Sequence, residues 1–193
     1  MKTVRDGDRD GSSGTVLLLD ACAVINLYAS RRMKEILVGF GGRFEIYENV
    51  IKEARHVRDV DAISGIFTMI EIDLEPLLAQ KIVHLASLAS ESELETYIDL
   101  LLGGLGDGES MSGAIAHHRG MTVVTDDRVA ARMLEEIDVS TIPALQLVRH
   151  WTEQMEQRHE VVQTTLEDIR FRGRYVPARS HPLREWWDAF LSP

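Results

Sequence analysis

Two short apolar runs, Thr15-Val-Leu-Leu-Leu-Asp20 and Met121-Thr-Val-Val-Thr-Asp-Asp127, each end in carboxylates, and no other feature limits the fold as strongly. A run that is apolar on both faces reads as a strand covered on both sides. Helical patterns lie between and after the runs. Ala21, Val24, Ile25 and Tyr28 predict a helix reaching about Phe40, where Gly41-Gly42 breaks it. Residues 43–47 alternate as a strand, and Asn49 is a candidate cap for a helix through Val50, Glu53, Ala54 and Val57. Residues 65–72 read as another strand. Residues 75–89 read as an amphipathic helix with Leu77, Leu78, Ile82, Leu85 and Leu88 inward, and Ser92 with Glu95 predicts a capping box for a helix ending near Leu102. Residues 105–118 read as a loop and a small-residue helix, stopped by Gly120. A helix over 128–136, a short strand over 139–142 and a helical region opened by Pro143 complete the pattern. Strands alternating with helices imply an α/β fold, a three-layer α/β/α sandwich with a mostly parallel central sheet. The expected organisation is a flexible tail over 1–14, a core domain over 15–147, and a helical, Arg-rich extension over 148–193 packed on or flanking it.

The chain has 193 residues, 45% of them hydrophobic, which is enough to build one core without metal or disulfide staples. Its one cysteine, Cys22, rules out an internal disulfide framework and the paired CxxC spacing of a zinc site, and suits a reducing, cytoplasmic setting. No stretch is long and apolar enough for a membrane span. The formal net charge of −10 argues against a protein that grips duplex nucleic acid through a broad basic face. It leaves room for RNA as a substrate, provided that cations neutralise the site and a local basic segment holds the backbone. Such a segment exists: Arg170, Arg172 and Arg174 alternate with Phe171, Gly173 and Tyr175, which suits phosphate contacts and a stacked base. A solvated end or a protein-binding surface reads the same residues equally well.

Ligands of open α/β sheets collect beyond the carboxyl ends of the strands. Asp20 and the pair Asp126-Asp127 fall there. Glu109 opens a helix just after a glycine-flanked turn, and Glu53 lies on a helix that a short crossover can bring to the same edge. At about 5 Å and an effective dielectric of about 20, each ionised pair repels by about 3 kcal/mol, so a bare cluster is unfavourable. A divalent cation resolves the conflict, and oxygen-only ligands select Mg²⁺ or Mn²⁺ over zinc. One or two such ions activate water and stabilise the leaving oxygen in phosphodiester hydrolysis.

The segments LLLDACAVINL around Asp20, VIKEA around Glu53, LGDGESMSGAIAHHRG around Glu109 and VVTDDRVAARML around Asp127 resemble, in this order, the PIN-domain family of metal-dependent ribonucleases, which includes the VapC-type toxins. The resemblance covers residues 15–147. It implies that Asp20, Glu53, Glu109 and Asp127 are the catalytic, metal-binding acids, with Asp126 and Thr125 as neighbours able to bind metal or water. The fourth acid can be laid on either Asp126 or Asp127. The resemblance further implies an RNA substrate, a homodimer and, for a toxin, a cognate antitoxin whose segment blocks the acids. The long segment over 74–102 and the extension after Leu147 depart from the compact toxin pattern.

Plainer readings compete at each position. Asp20 suits a helix cap, and Glu109 suits the first turn of a helix. Glu48 competes with Glu53. Asp107 is sufficiently explained by a Gly-Asp-Gly turn. Gly103, Gly104, Gly106 and Gly108 lack the Lys-Ser/Thr of a phosphate-binding loop. His117-His118 reads as a helix-end pair, and Cys22 as a structural thiol, not acidic as an aspartyl-phosphate enzyme would require there. Trp186, Trp187 and Phe190 read as packing for the last helix. The alternatives to a nuclease are a non-catalytic PIN-like module that binds RNA or protein, and a metal-dependent phosphoesterase acting on DNA or small molecules.

Overall fold

The computed structural model describes residues 15–60 and 66–191; the tail expected over 1–14 lies outside the described residues. The elements run β1 (Val16–Leu19), α1 (Ala21–Ala29), α2 (Met33–Phe40), β2 (Arg43–Tyr47), α3 (Glu48–Glu53), β3 (His56–Val60), β4 (Phe67–Glu71), α4 (Glu75–Ala79) and β5 (Val83–Ala86). They continue with α5 (Glu91–Leu102), α6 (Asp107–Arg119), β6 (Thr122–Val124), α7 (Arg128–Glu135), β7 (Thr141–Ile142), α8 (Ala144–Gln154), α9 (His159–Arg172) and α10 (Arg184–Leu191).

Five strands form one parallel sheet in the order β5-β2-β1-β6-β7. Alternation along β1 sends Leu17 and Leu19 to one face and Leu18 to the other, so all three are fully buried. Leu17 and Leu19 join Phe44, Ile46, Val83 and Val124 under α1, α2, α8 and α9. Leu18 packs on Met111 and Ile115 of α6, and Val123 lies among Leu100, Ala116, Ala130 and Leu134 of the α5–α7 layer. The result is the expected three-layer α/β/α sandwich. The main core passes through residue 147 without a break, since Leu145, Leu147, Leu166, Ile169 and Trp187 belong to it. Trp187 of α10 thus packs as expected. Among the described residues no helix is long and apolar enough to cross a membrane.

Strand order changes direction beside β1: the chain adds β2 and β5 on one side, then returns to add β6 and β7 on the other. Such a switch point opens a crevice beyond the carboxyl ends of β1 and β6.

Several local expectations are corrected. The first helix is two helices, because Ser30 caps α1 and Arg31 turns the chain at a φ of 60°. Helix α3 is capped at Tyr47, not Asn49, and stops at Glu53; Val57 instead enters β3, which pairs with β4 in a separate antiparallel hairpin. The expected strand over 65–72 is β4, and its first expected residue lies outside the described residues. The helix expected over 75–89 ends at Ala79; Lys81 takes a φ of 56° and Val83–Ala86 forms β5. The leucine spacing there does fit a helix, but pairing with β2 satisfies the backbone and buries Val83 and Ala86 while leaving Leu85 60% exposed. The capping box of α5 lies two residues earlier than expected: Ser90 Oγ accepts from Glu93 N–H, and the Glu93 carboxylate accepts from Ala89 N–H.

Candidate active site

Asp20 is where the crevice begins. The residue follows β1, its N–H donates to Val124 C=O at 3.1 Å, and it is 2% exposed. Its Oδ1 accepts from the Ala21 N–H and caps α1. Its Oδ2 accepts from the Thr125 hydroxyl at 2.8 Å and from the Cys22 thiol at 3.0 Å. Cys22 Sγ in turn accepts from Asp126 N–H at 3.0 Å, and Thr125 Oγ1 accepts from Asp127 N–H at 3.1 Å. These bonds join the ends of β1 and β6. Burial first, then the charges of Asp20 and Asp126, push the Cys22 thiol up, so it stays a protonated donor.

The other acids arrive from separate elements. Glu53 closes α3, and its Oε1 accepts from Gly108 N–H at 3.1 Å. A Cβ at position 108 would stand 2.7 Å from Glu53 Oε2, so glycine is what admits this approach. Glu109 lies in the first turn of α6 and its Oε2 reaches back to Gly106 N–H at 3.1 Å. Asp127 caps α7, its Oδ1 accepting from Val129 N–H at 2.7 Å and Ala130 N–H at 3.0 Å. Burial first, and then the charges of Asp20, Asp127 and Glu53, push Glu109 above the usual carboxylate range. Glu53 is raised by burial, with Asp20 and Asp107 adding to it. Glu109 therefore feels the charges of the other three acids across one sheet edge.

Asp126 faces elsewhere. Its Oδ2 accepts from Asn26 Nδ2 at 2.7 Å and its Oδ1 from Ala144 N–H at 3.0 Å, and the Tyr175 hydroxyl also donates to it. Burial dominates these donors and pushes Asp126 up to about 6. It ties α1, α8 and the segment after α9 together, while Asp127 is the one of the pair that Glu109 feels.

Asp20, Glu53, Glu109 and Asp127 thus share the edge, and none is ion-paired among the described residues. They are not drawn into a cage: among the described residues no three His, Cys, Asp or Glu side chains stand together so as to hold a metal ion. All four carboxylates rest on amides, at Ala21, Gly108, Gly106 and the first turn of α7. Glu48, the competitor of Glu53, is exposed and pairs with Lys52 at 2.9 Å. Asp107 is held by Asn49 and by the Tyr97 hydroxyl at 2.6 Å, which gives it a structural use.

The arginines separate. Arg170 and Arg174 are exposed, but Arg172, expected with them among the RNA contacts, is 6% exposed, because α9 continues through it and turns it inward. One of its terminal nitrogens donates to Ala29 C=O at 2.9 Å, and the other lies 3.5 Å from the Asp59 carboxylate. Sequence reasoning missed Asn26 and His181, and read Tyr175 as a partner for a stacked base rather than as a donor to Asp126. Asn26 carried a readable signal, a polar side chain among the apolar residues of α1; the other two approach only through the long return of the chain. No family model matches the chain, and no curated protein or solved structure matches it.

Proposed function

We propose that the protein is a metal-dependent endoribonuclease that hydrolyses RNA phosphodiester bonds at this edge, in the manner of the PIN-domain nucleases its motifs resemble. The observation that supports this reading most is the arrival of four carboxylates from four segments along one edge at the sheet's switch point, none of them ion-paired among the described residues. An all-oxygen donor set suits Mg²⁺ or Mn²⁺. Asp20, Glu53, Glu109 and Asp127 would hold the ion, with Asp126 behind them fixing α1 against α8. A bound divalent cation supplies an activated water and positive charge for the leaving oxygen. Asp20 anchors the edge, its orientation set by Thr125 and Cys22. Glu53 and Glu109 are the movable members, each released by giving up one glycine amide. Arg174, exposed beside Asp126 and Asp127, and Arg170 supply charge for the RNA backbone.

The decisive experiment is cleavage of labelled single-stranded RNA and DNA in Mn²⁺, Mg²⁺ or EDTA by wild type and Asp20→Asn. Expected is metal-dependent cutting of RNA by wild type, lowered about 10³-fold in the variant, or about 4 kcal/mol of barrier. DNA cutting instead would move the reading to a different phosphoesterase, and equal cutting by both proteins would remove Asp20 from the site. A non-catalytic RNA- or protein-binding module is the second reading, favoured by the absence of a gathered three-donor cage among the described residues. RNA binding without cleavage in any metal would establish it. The toxin role, with its homodimer, cytoplasmic setting and acid-blocking antitoxin, is tested by sedimentation and by inspecting the adjacent reading frame for a small DNA-binding protein.

A further inference from the structure

The hairpin of β3 and β4 stands apart from the central sheet, and its outer strand is bare. All five residues of β4, Phe67-Thr-Met-Ile-Glu71, are exposed, Phe67 by 60% and Met69 by 64%. The inner strand anchors the hairpin: Val57 is buried in the main core, and Asp59 meets Arg31 and Arg172. Among the described residues no strand pairs with the far edge of β4. The register shows what that edge offers. Ile72 N–H donates to Arg55 C=O at 2.8 Å, and in an antiparallel ladder the direction of the backbone groups alternates residue by residue. Ile70 and Thr68 therefore turn their N–H and C=O toward β3, and Phe67, Met69 and Glu71 turn theirs outward. Proteins guard such an edge with Lys, Pro or a bulge. β4 has no Lys and no Pro, and its ladder runs without a bulge from the Val60–Phe67 pair to the His56–Glu71 pair. Its one charged residue is Glu71.

Symmetry and charge narrow what covers it. With a twofold axis at Met69, an antiparallel copy of β4 places Met69 opposite Met69 and Phe67 opposite Glu71. Each of the three outward pairs then exchanges two backbone hydrogen bonds, and shifting the strands by two residues loses one pair. Residues directly opposite share a face, so Glu71 of the second copy arrives beside the Phe67 ring. The Arg58 guanidinium lies 5.1 Å from the centre of that ring, which also stacks on Phe171 of α9 at 5.6 Å. Neither Arg58 nor Glu71 has an ion-pair partner among the described residues. The symmetric pairing supplies one to each, twice over. We propose that β4 is a homodimerisation edge: two copies of this chain pair β4 to β4 into one four-stranded antiparallel sheet, with Phe67 and Met69 packed across the axis and Arg58 facing Glu71 of the second copy. The proposal names a surface for a homodimer and does not rest on the nuclease chemistry.

Two measurements on the full chain test it. The first is sedimentation velocity at rising protein concentration. The hairpin contributes fewer residues than the roughly 20–30 a side of a standard interface, so a reversible dimer with a dissociation constant on the order of 10 µM is expected. Met69→Pro removes an outward N–H and leaves the ladder with β3 intact, so the variant should fold and stay monomeric up to about 300 µM. If Met69→Pro fails to fold, Glu71→Arg, which sets like charges against each other, should weaken the dimer about tenfold, and adding Arg58→Glu should restore it to within about threefold. A dimer that persists in Met69→Pro, or one that ignores both charge changes, overturns the proposal and moves the homodimer to another face. A wild-type protein that stays monomeric at every concentration overturns it and the homodimer together. The second measurement is amide hydrogen exchange, followed residue by residue by NMR. Exchange should slow with concentration at Phe67, Met69 and Glu71, and stay unchanged at Thr68 and Ile70, whose N–H groups already bond β3. Exchange at Met69 that ignores dimer formation overturns the proposal.

Discussion

Two sets of carboxylates in this molecule are treated in opposite ways. On the α5–α6 side, the Glu93 side chain is 4% exposed and fully answered from within the chain. Arg119 donates to both of its oxygens, at 2.7 and 3.0 Å, and Ala89 N–H adds a third bond at 2.7 Å. Arg119 is the largest influence on Glu93 and holds it below the usual carboxylate range. Along the strand ends, by contrast, Glu53, Glu109 and Asp126 are all pushed upward, chiefly by burial and also by the charge of Asp20. The chain shows at Glu93 that it can neutralise a buried acid. At the edge it supplies amides and hydroxyls but, among the described residues, no ion-paired cation, so that set is complete only when positive charge arrives to neutralise it.

Breaking the complete set should give the largest effect. Arg119→Met leaves Glu93 buried without its partner, and about 3 kcal/mol of stability should be lost in chemical denaturation. A loss below about 1 kcal/mol would show that Glu93 has access to water and that the comparison fails on that side.

The two sets should also titrate in opposite senses. Glu93, with a lowered folded pKa, contributes stability that is present above about pH 4.3 and is lost on acidification. Asp126, raised to about 6, contributes stability that is present below about pH 4 and is lost as pH rises through 6. Glu53 and Glu109 act in the same direction as Asp126. In EDTA the denaturation midpoint should therefore peak in mild acid and fall toward pH 8, by on the order of 1–2 kcal/mol. Mn²⁺ at pH 8 should restore most of that loss in wild type and little of it in Asp20→Asn. A midpoint that ignores Mn²⁺ at every pH would argue that the edge takes no cation.

How much of this was legible in the sequence depends on where each interaction closes. Asp20 and Asp127 were readable because a strand's end and a following helix cap are local patterns, and both residues do cap α1 and α7. Glu109 was readable from the turn before it. Glu53 was placed correctly on a helix, yet what brings it to the edge is Gly108, 55 residues later. Asp126 and Asp127 could not be separated from sequence because the difference between them lies in Asn26, Ala144 and Tyr175, none of them local. The failures have a common cause. The segment over 75–89 carries a helical leucine spacing, and the free edge of β2 overrides it; Arg172 alternates with apolar residues as an extended segment would, and the continuation of α9 turns it inward.

The finest test acts on a single contact of the incomplete set. Gly108 is the second residue of α6, where alanine would favour the helix by up to about 1 kcal/mol. In Gly108→Ala the new Cβ would fall 2.7 Å from Glu53 Oε2 and 3.1 Å from Oε1. These atoms are the far end of a flexible side chain, so Glu53 can swing aside and little folding energy is lost. Stability should stay within about 0.5 kcal/mol of wild type. The Mn²⁺ concentration needed for half-maximal cleavage should nevertheless rise about tenfold, because the displaced carboxylate no longer starts from its position over α6. A changed fold stability with unchanged Mn²⁺ dependence would assign Glu53 to packing α3 against α6, and would leave Asp20, Glu109 and Asp127 as the acids that define the edge.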